Sequence, residues 1–166
     1  MAEEVKVLPT SVKYSGIFNM KDLYSLLYDL LTGLGYGVTE EGYKSTTKPD
    51  GSEDLEISWD CTKNMDNYTR FRIKIFIKAD GISKVKVKEG DIEVTKNKGS
   101  AEVKFTAYTI TDFENKWELN PLLKFFKGLF DKYIYSSTYK NWKSKIVEET
   151  YTIVNEVKSF FGLQKF

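Results

Sequence analysis

The chain has no histidine and only one cysteine, Cys61, among its 166 residues. These shortages exclude nucleophiles activated by a histidine base, zinc sites built from several cysteines or histidines, haem attachment and an internal disulfide. Three prolines and eleven glycines leave no room for a collagen-like or low-complexity chain. Arginine is confined to Arg70 and Arg72, which is little material for bidentate recognition of phosphates or bases. An excess of either charge is also missing. Twenty-five Lys and Arg stand against twenty-four Asp and Glu, a net charge of +1, so only a local asymmetry could point to a polyanion or a membrane. No stretch approaches the roughly 20 apolar residues that span a bilayer. The opening Met1-Ala2-Glu3-Glu4 lacks the basic and apolar pattern of a secretory signal, so the expected compartment is the cytoplasm. In that setting the sequon Asn67-Tyr68-Thr69 reads as chance. No cofactor and no metal site is expected.

What is present suits one folded domain over residues 1–166: 41% hydrophobic, 30% charged and 15% aromatic residues. Residues 10 to 17 alternate as a first strand. Asn19 caps a helix over 20–34, where Met20, Leu23, Leu27, Leu30, Leu31 and Leu34 recur at helical spacing before the glycines at 33 to 37. From about 36 to 112 the period becomes two, clearest in Phe71, Ile73, Ile75 and Ile77. Strands are expected at 36–46, 53–62, 68–79, 82–88, 91–96 and 101–112, with turns at Asp80-Gly81, Glu89-Gly90 and 96–99 among others. A Glu89-Gly90 turn sets Val87 opposite Ile92 and Val85 opposite Val94. A fold-back around Met65 sets Trp59 opposite Phe71 and Ile57 opposite Ile73. Asn120 and Pro121 then open a helix over 121–135 with a stripe of Leu122, Phe125, Phe126, Leu129, Phe130 and Tyr133. A last helix covers 139–161 and stops at Gly162. The expected fold class is α+β, an antiparallel meander of six to seven strands packed against C-terminal helices.

This order of elements, carried by the Asn19–Leu34 helix, the Asp54–Asp112 meander and the Tyr139–Phe161 helix, resembles the helix-grip fold of the START and Bet v1-like superfamily. The resemblance implies a curved sheet wrapped around a long helix with an apolar cavity between them. It further implies a hydrophobic small molecule or a lipid as ligand. It carries over no functional residue.

Three constellations could bind something. The inward set Trp59, Phe71, Ile73, Ile75, Val85, Val87, Phe105, Ile146, Ile153 and Val157 would line such a pocket or fill an ordinary core. Eleven tyrosines could orient a ligand against that apolar wall. The outward residues Arg70, Arg72, Lys74, Lys78, Lys84, Lys86 and Lys88, with Phe76 among them, would form an anion-binding sheet face, with Lys78 facing Lys84. The acidic residues Glu56, Asp60, Asp91 and Glu93 flank that face, so nucleic acid is the less favoured partner. The basic, aromatic stretch from Leu122 to Lys145, with Phe125, Phe126, Phe130 and Trp142, could lie on an anionic membrane, dock a protein partner, self-associate, or simply cover the sheet. The carboxylates Glu40, Glu41, Asp112 and Glu114 and the cluster from Asp50 to Glu56 form no acid/base pair and no calcium loop. The expectation is a non-catalytic binding protein, with a hydrophobic small molecule or lipid as leading ligand and an assembly subunit as alternative.

Overall fold

In the computed structural model, which describes residues 2–113 and 121–162, the chain is α+β. Strand β1 (Glu3–Phe18) leads into helix α1 (Met20–Gly33). Four antiparallel strands follow, β2 (Gly37–Thr47), β3 (Glu53–Asn64), β4 (Thr69–Glu89) and β5 (Ile92–Thr111). The C-terminal part is helix α2 (Pro121–Leu129), a π-helical turn (Phe130–Ile134) and helix α3 (Ser136–Phe161). Asn120, Glu114 and the connection after Phe113 lie outside the described residues. In space the sheet order is β1-β5-β4-β3-β2, so β2 to β5 form the meander and β1 closes onto its last strand.

Five long strands replace the six or seven expected, because two segments read as turns are strand interior. Strand β4 runs through Asp80-Gly81 and β5 runs through 96–99. Both sit where the register between β4 and β5 shifts, between Asp80 and Ser83. Gly81 takes a left-handed φ of +60° there, as a bulge requires. Across from it, a Cβ on Gly99 would lie 2.9 Å from the Asp80 carbonyl oxygen and 3.0 Å from that of Gly81. These two glycines permit a close backbone approach and do not end strands.

Two pairings also slip by even steps. The β4–β5 turn is Gly90-Asp91, which sets Val87 opposite Val94 and Lys88 opposite Glu93. The β3–β4 pairing sets Trp59 opposite Ile75 and Ile57 opposite Ile77. The latter shift follows from the Asp66 carboxylate, which accepts from the backbone N–H groups of Tyr68 and Thr69 at 2.7 and 2.6 Å and draws the bend past Met65. An even slip leaves every side chain on its expected face.

Helices α1 and α3 cover that apolar face. Asn19 caps α1 by accepting from the Asp22 N–H at 3.2 Å, and α1 buries Met20, Leu23, Leu27 and Leu31. Helix α3 is 26 residues long, about 39 Å, and begins three residues before the expected start. It buries Ile146, Thr150, Ile153, Val154, Val157 and Phe161 and ends at Gly162, whose φ of 72° makes the left-handed cap. The opposite sheet face has no helix of the described residues on it and carries the polar half of each alternating strand.

Candidate functional site

Eight of the ten residues expected to line a pocket, Trp59, Phe71, Ile73, Ile75, Phe105, Ile146, Ile153 and Val157, are at most 2% exposed and lie in one core cluster between sheet and helices. Val85 and Val87 are placed elsewhere. Since β4 does not turn at Gly81, they ride on a β4–β5 arm that extends beyond the last paired residues of β3 and β1, where they are half-buried.

The basic sheet face is assembled, and its charges are interrupted. Lys78 lies between Glu56 on β3 and Glu102 on β5, and Lys74 between Asp60 and Thr106. Lys84, Lys86 and Lys88 lie farther along the arm, opposite Asn97, Thr95 and Glu93, so the expected juxtaposition of Lys78 with Lys84 does not occur. The continuous course of β4 through the bulge separates them. Arg72 is tied to Glu4 at 2.5 Å and Asp60 at 3.1 Å. Arg70 donates to Asn64 at 2.7 Å and sits over the Phe113 ring. Both arginines are therefore engaged within the fold.

The third constellation divides. Helix α2 has no buried residue, and its principal neighbour is the π turn. Leu123 and Lys127, one turn apart, are its half-buried positions. Its apolar stripe points the other way: Leu122 and Phe125 are each 63% exposed, Phe126 46% and Leu129 40%, and Tyr133 and Ile134 of the π turn are each 69% exposed. Phe130 and Trp142 face inward. The π turn closes with the Tyr135 N–H donating to the Phe130 carbonyl at 2.8 Å, which brings their rings into a stack, and Phe130 also meets the edge of Tyr68. Trp142 packs its edge on Phe71.

One carboxylate organises this end of the molecule. Besides the two backbone amides of its own bend, Asp66 accepts from the Tyr135 hydroxyl at 3.0 Å and the Trp142 indole N–H at 3.1 Å. Burial acts against its charge, yet these four donors outweigh burial and hold the carboxyl below its usual range. Burial, with Asp66 adding to it, pushes the Tyr135 phenol up to about 12 despite an opposing hydrogen bond with Thr69. A second carboxylate, Asp131, accepts from Tyr68 at 2.5 Å and from Lys127 at 2.9 Å, while Glu3 lies 3.6 Å from the same ammonium. Burial and then the Asp131 contact raise the Tyr68 phenol. The π turn is thus pinned to the start of β4 and to β1. Beside it opens a groove of about 430 Å³, lined by Glu3, Thr111, Tyr135, Tyr139, Lys140 and Lys143 among others. Asp112, at φ 52°, is 2% exposed near this end, and its Oδ2 has no hydrogen-bond partner among the described residues.

A separate, largely buried network locks α3 to β3 and to the segment between α1 and β2. Glu149 accepts from Lys63 at 2.7 Å through one oxygen and from the Tyr36 hydroxyl at 2.7 Å through the other, and Lys63 also donates to the Leu34 carbonyl at 2.8 Å. Every strong donor and acceptor here is met, which suits a structural tie. Cys61 is fully buried, and burial followed by Asp60 pushes its thiol up to about 12, so it is a poor nucleophile. Glu40 accepts from the Tyr24 hydroxyl and the Trp59 indole and belongs to that packing.

Sequence reasoning singled out Phe125 and Phe126 from their spacing. It missed Ile134, which the change to π spacing moves onto the exposed side, and it missed Asp66, whose signal was the Asp-Asn-Tyr-Thr bend just before a strand. No helix among the described residues is long and apolar enough to cross a membrane, and no group of three or more of their Cys, Asp and Glu side chains is placed to hold a metal ion. No protein-family model, curated protein or solved structure matches the chain.

Proposed function

We propose that this protein is a non-catalytic docking module that binds another surface through the apolar face of α2 and the π turn. The observation that carries the reading is the exposure of Leu122, Phe125, Phe126, Leu129, Tyr133 and Ile134, at 40 to 69%, on an element otherwise pinned to the fold by Asp66 and Asp131. Isolated exposed apolar residues are ordinary, whereas a contiguous set of this kind marks an interaction site. A π turn inside a helical segment is also a feature that recurs at functional sites. The enclosed-ligand reading and the helix-grip kinship have less behind them: the eight interior residues pack against one another, and what favours a ligand there is aromatic richness. A cytoplasmic setting is part of the proposal, supported by the single, buried thiol of Cys61.

Fluorescence of an apolar surface dye tests the reading. The native protein should enhance it, and Phe125→Ser with Phe126→Ser should abolish the enhancement while the near-ultraviolet circular dichroism of the packed interior persists. A dark wild-type protein, or a double variant that loses its interior signal, would show that these rings are part of the core.

A further inference from the structure

The docking reading leaves the partner open, and charge narrows it. The stretch from Leu122 to Lys145 holds six lysines, one aspartate and no other charged residue, a net charge of +5. The whole chain carries +1, so the remaining residues carry −4. Lys124 and Lys132 are exposed on the same short element as the apolar side chains, and Lys132 lies over the Tyr133 ring at 5.2 Å. Lys140 and Lys143, also exposed, line the neighbouring groove. An apolar face flanked by lysines in this way matches a surface that is oily beneath and negatively charged at its rim.

Size decides between the candidates of that description. α2 and the π turn comprise 14 residues, about 20 Å of helix, whose six apolar side chains, 40 to 69% exposed, offer on the order of several hundred Å². A stable protein interface draws about 20 to 30 residues from each partner, more than this short element supplies. A second copy related by a two-fold axis would also bring the same lysines together. A bilayer makes neither demand, because rings and aliphatic chains enter among its acyl chains singly while ammonium groups stay at the phosphates. Resting on the docking reading, we infer that α2 and the π turn seat this protein on the surface of a bilayer rich in anionic phospholipid, with Phe125 and Phe126 in the acyl boundary and Lys124 and Lys132 at the headgroups. One short helix gives weak apolar binding alone, so both components are required together.

Vesicle co-sedimentation of the full chain tests this with phosphatidylcholine alone and with phosphatidylcholine containing roughly one-third phosphatidylglycerol, a mimic of an anionic leaflet. The wild type should pellet with the anionic vesicles and stay in solution with the neutral ones. Lys124→Glu with Lys132→Glu should weaken the partition more than about tenfold. Phe125→Ser with Phe126→Ser should weaken it by at least about tenfold as well. Raising the salt from about 0.1 to about 1 M, which shortens the screening length from about 10 to about 3 Å, should release the protein. Absence from the anionic pellet, or equal partition into both vesicle types, would overturn the bilayer inference. The dye result separates the two failures: a protein that enhances the dye and ignores anionic vesicles keeps an open docking face whose partner is a protein. One that fails the dye test loses the docking reading itself. Light scattering that shows self-association abolished by Phe125→Ser with Phe126→Ser, without vesicle binding, would assign the face to a second copy and overturn the inference.

Discussion

Helices α2 and α3 carry apolar stripes of the same kind and meet opposite fates. On α3, Ile146, Ile153, Val154 and Val157 are fully buried, whereas on α2, Leu122 and Phe125 are 63% exposed. The sequence pattern is equally regular in both, so amphipathic spacing defines a face that gains from being covered without specifying what covers it. Position supplies the difference. Helix α3 packs on β1 and β5 and against α1, where alternate strand residues are apolar, and α2 has the π turn as its principal neighbour. One stripe belongs to the fold's energy and the other stays exposed.

Four perturbations put that contrast to the test. The largest effect is expected at the tie that holds α3 down. Glu149→Leu leaves the half-buried Lys63 ammonium and the buried Tyr36 hydroxyl without their carboxylate and should cost about 3–5 kcal/mol, a large part of the stability of a domain this size, read from the shift in the urea midpoint. Gly99→Val should come next, at about 1–3 kcal/mol or more, because its side chain would press on the carbonyls of Asp80 and Gly81. The same urea experiment measures it.

Asp66→Asn probes how the π turn is fastened and should have a smaller, pH-dependent cost. The folded-state pKa of Asp66 is depressed. Its stabilisation is therefore complete above the unfolded value of about 3.9 and fades as the pH falls through the lower folded value. Wild-type stability should decline on acidification below about pH 4, and the variant should decline less over that interval. Equal slopes would remove Asp66 as the fastener. The smallest effect is expected from Phe125→Ser with Phe126→Ser, within about 0.5 kcal/mol of wild type.

Much of the fold was legible because the strong signals are local. Asn19 and Gly162 fixed the ends of α1 and α3 by capping chemistry, and the alternation of Phe71, Ile73, Ile75 and Ile77 fixed the buried face of β4. Even-numbered slips in register left those faces intact, so the core residues were identifiable although their partners were not. Strand number failed at Gly81 and Gly99, since a glycine in a bulge and one under a close backbone approach look like turn glycines when taken singly. Only pairing the two strands brings them together. The same limit moved Val85 and Val87 out of the interior and parted Lys78 from Lys84. The site was half legible. Spacing selected Phe125 and Phe126, but it could not separate them from Phe130 and Trp142, which turn inward because the Asp66 contacts across the chain and the local change to π hydrogen bonding draw that side of the segment onto β4.

Urea unfolding of Phe125→Ala beside Ile153→Ala compares one deletion from each stripe and tests the contrast most directly. A loss of about 2–5 kcal/mol is expected for Ile153→Ala and under about 0.5 kcal/mol for Phe125→Ala. Comparable losses for the two would place the α2 stripe inside the fold and erase the difference between the helices.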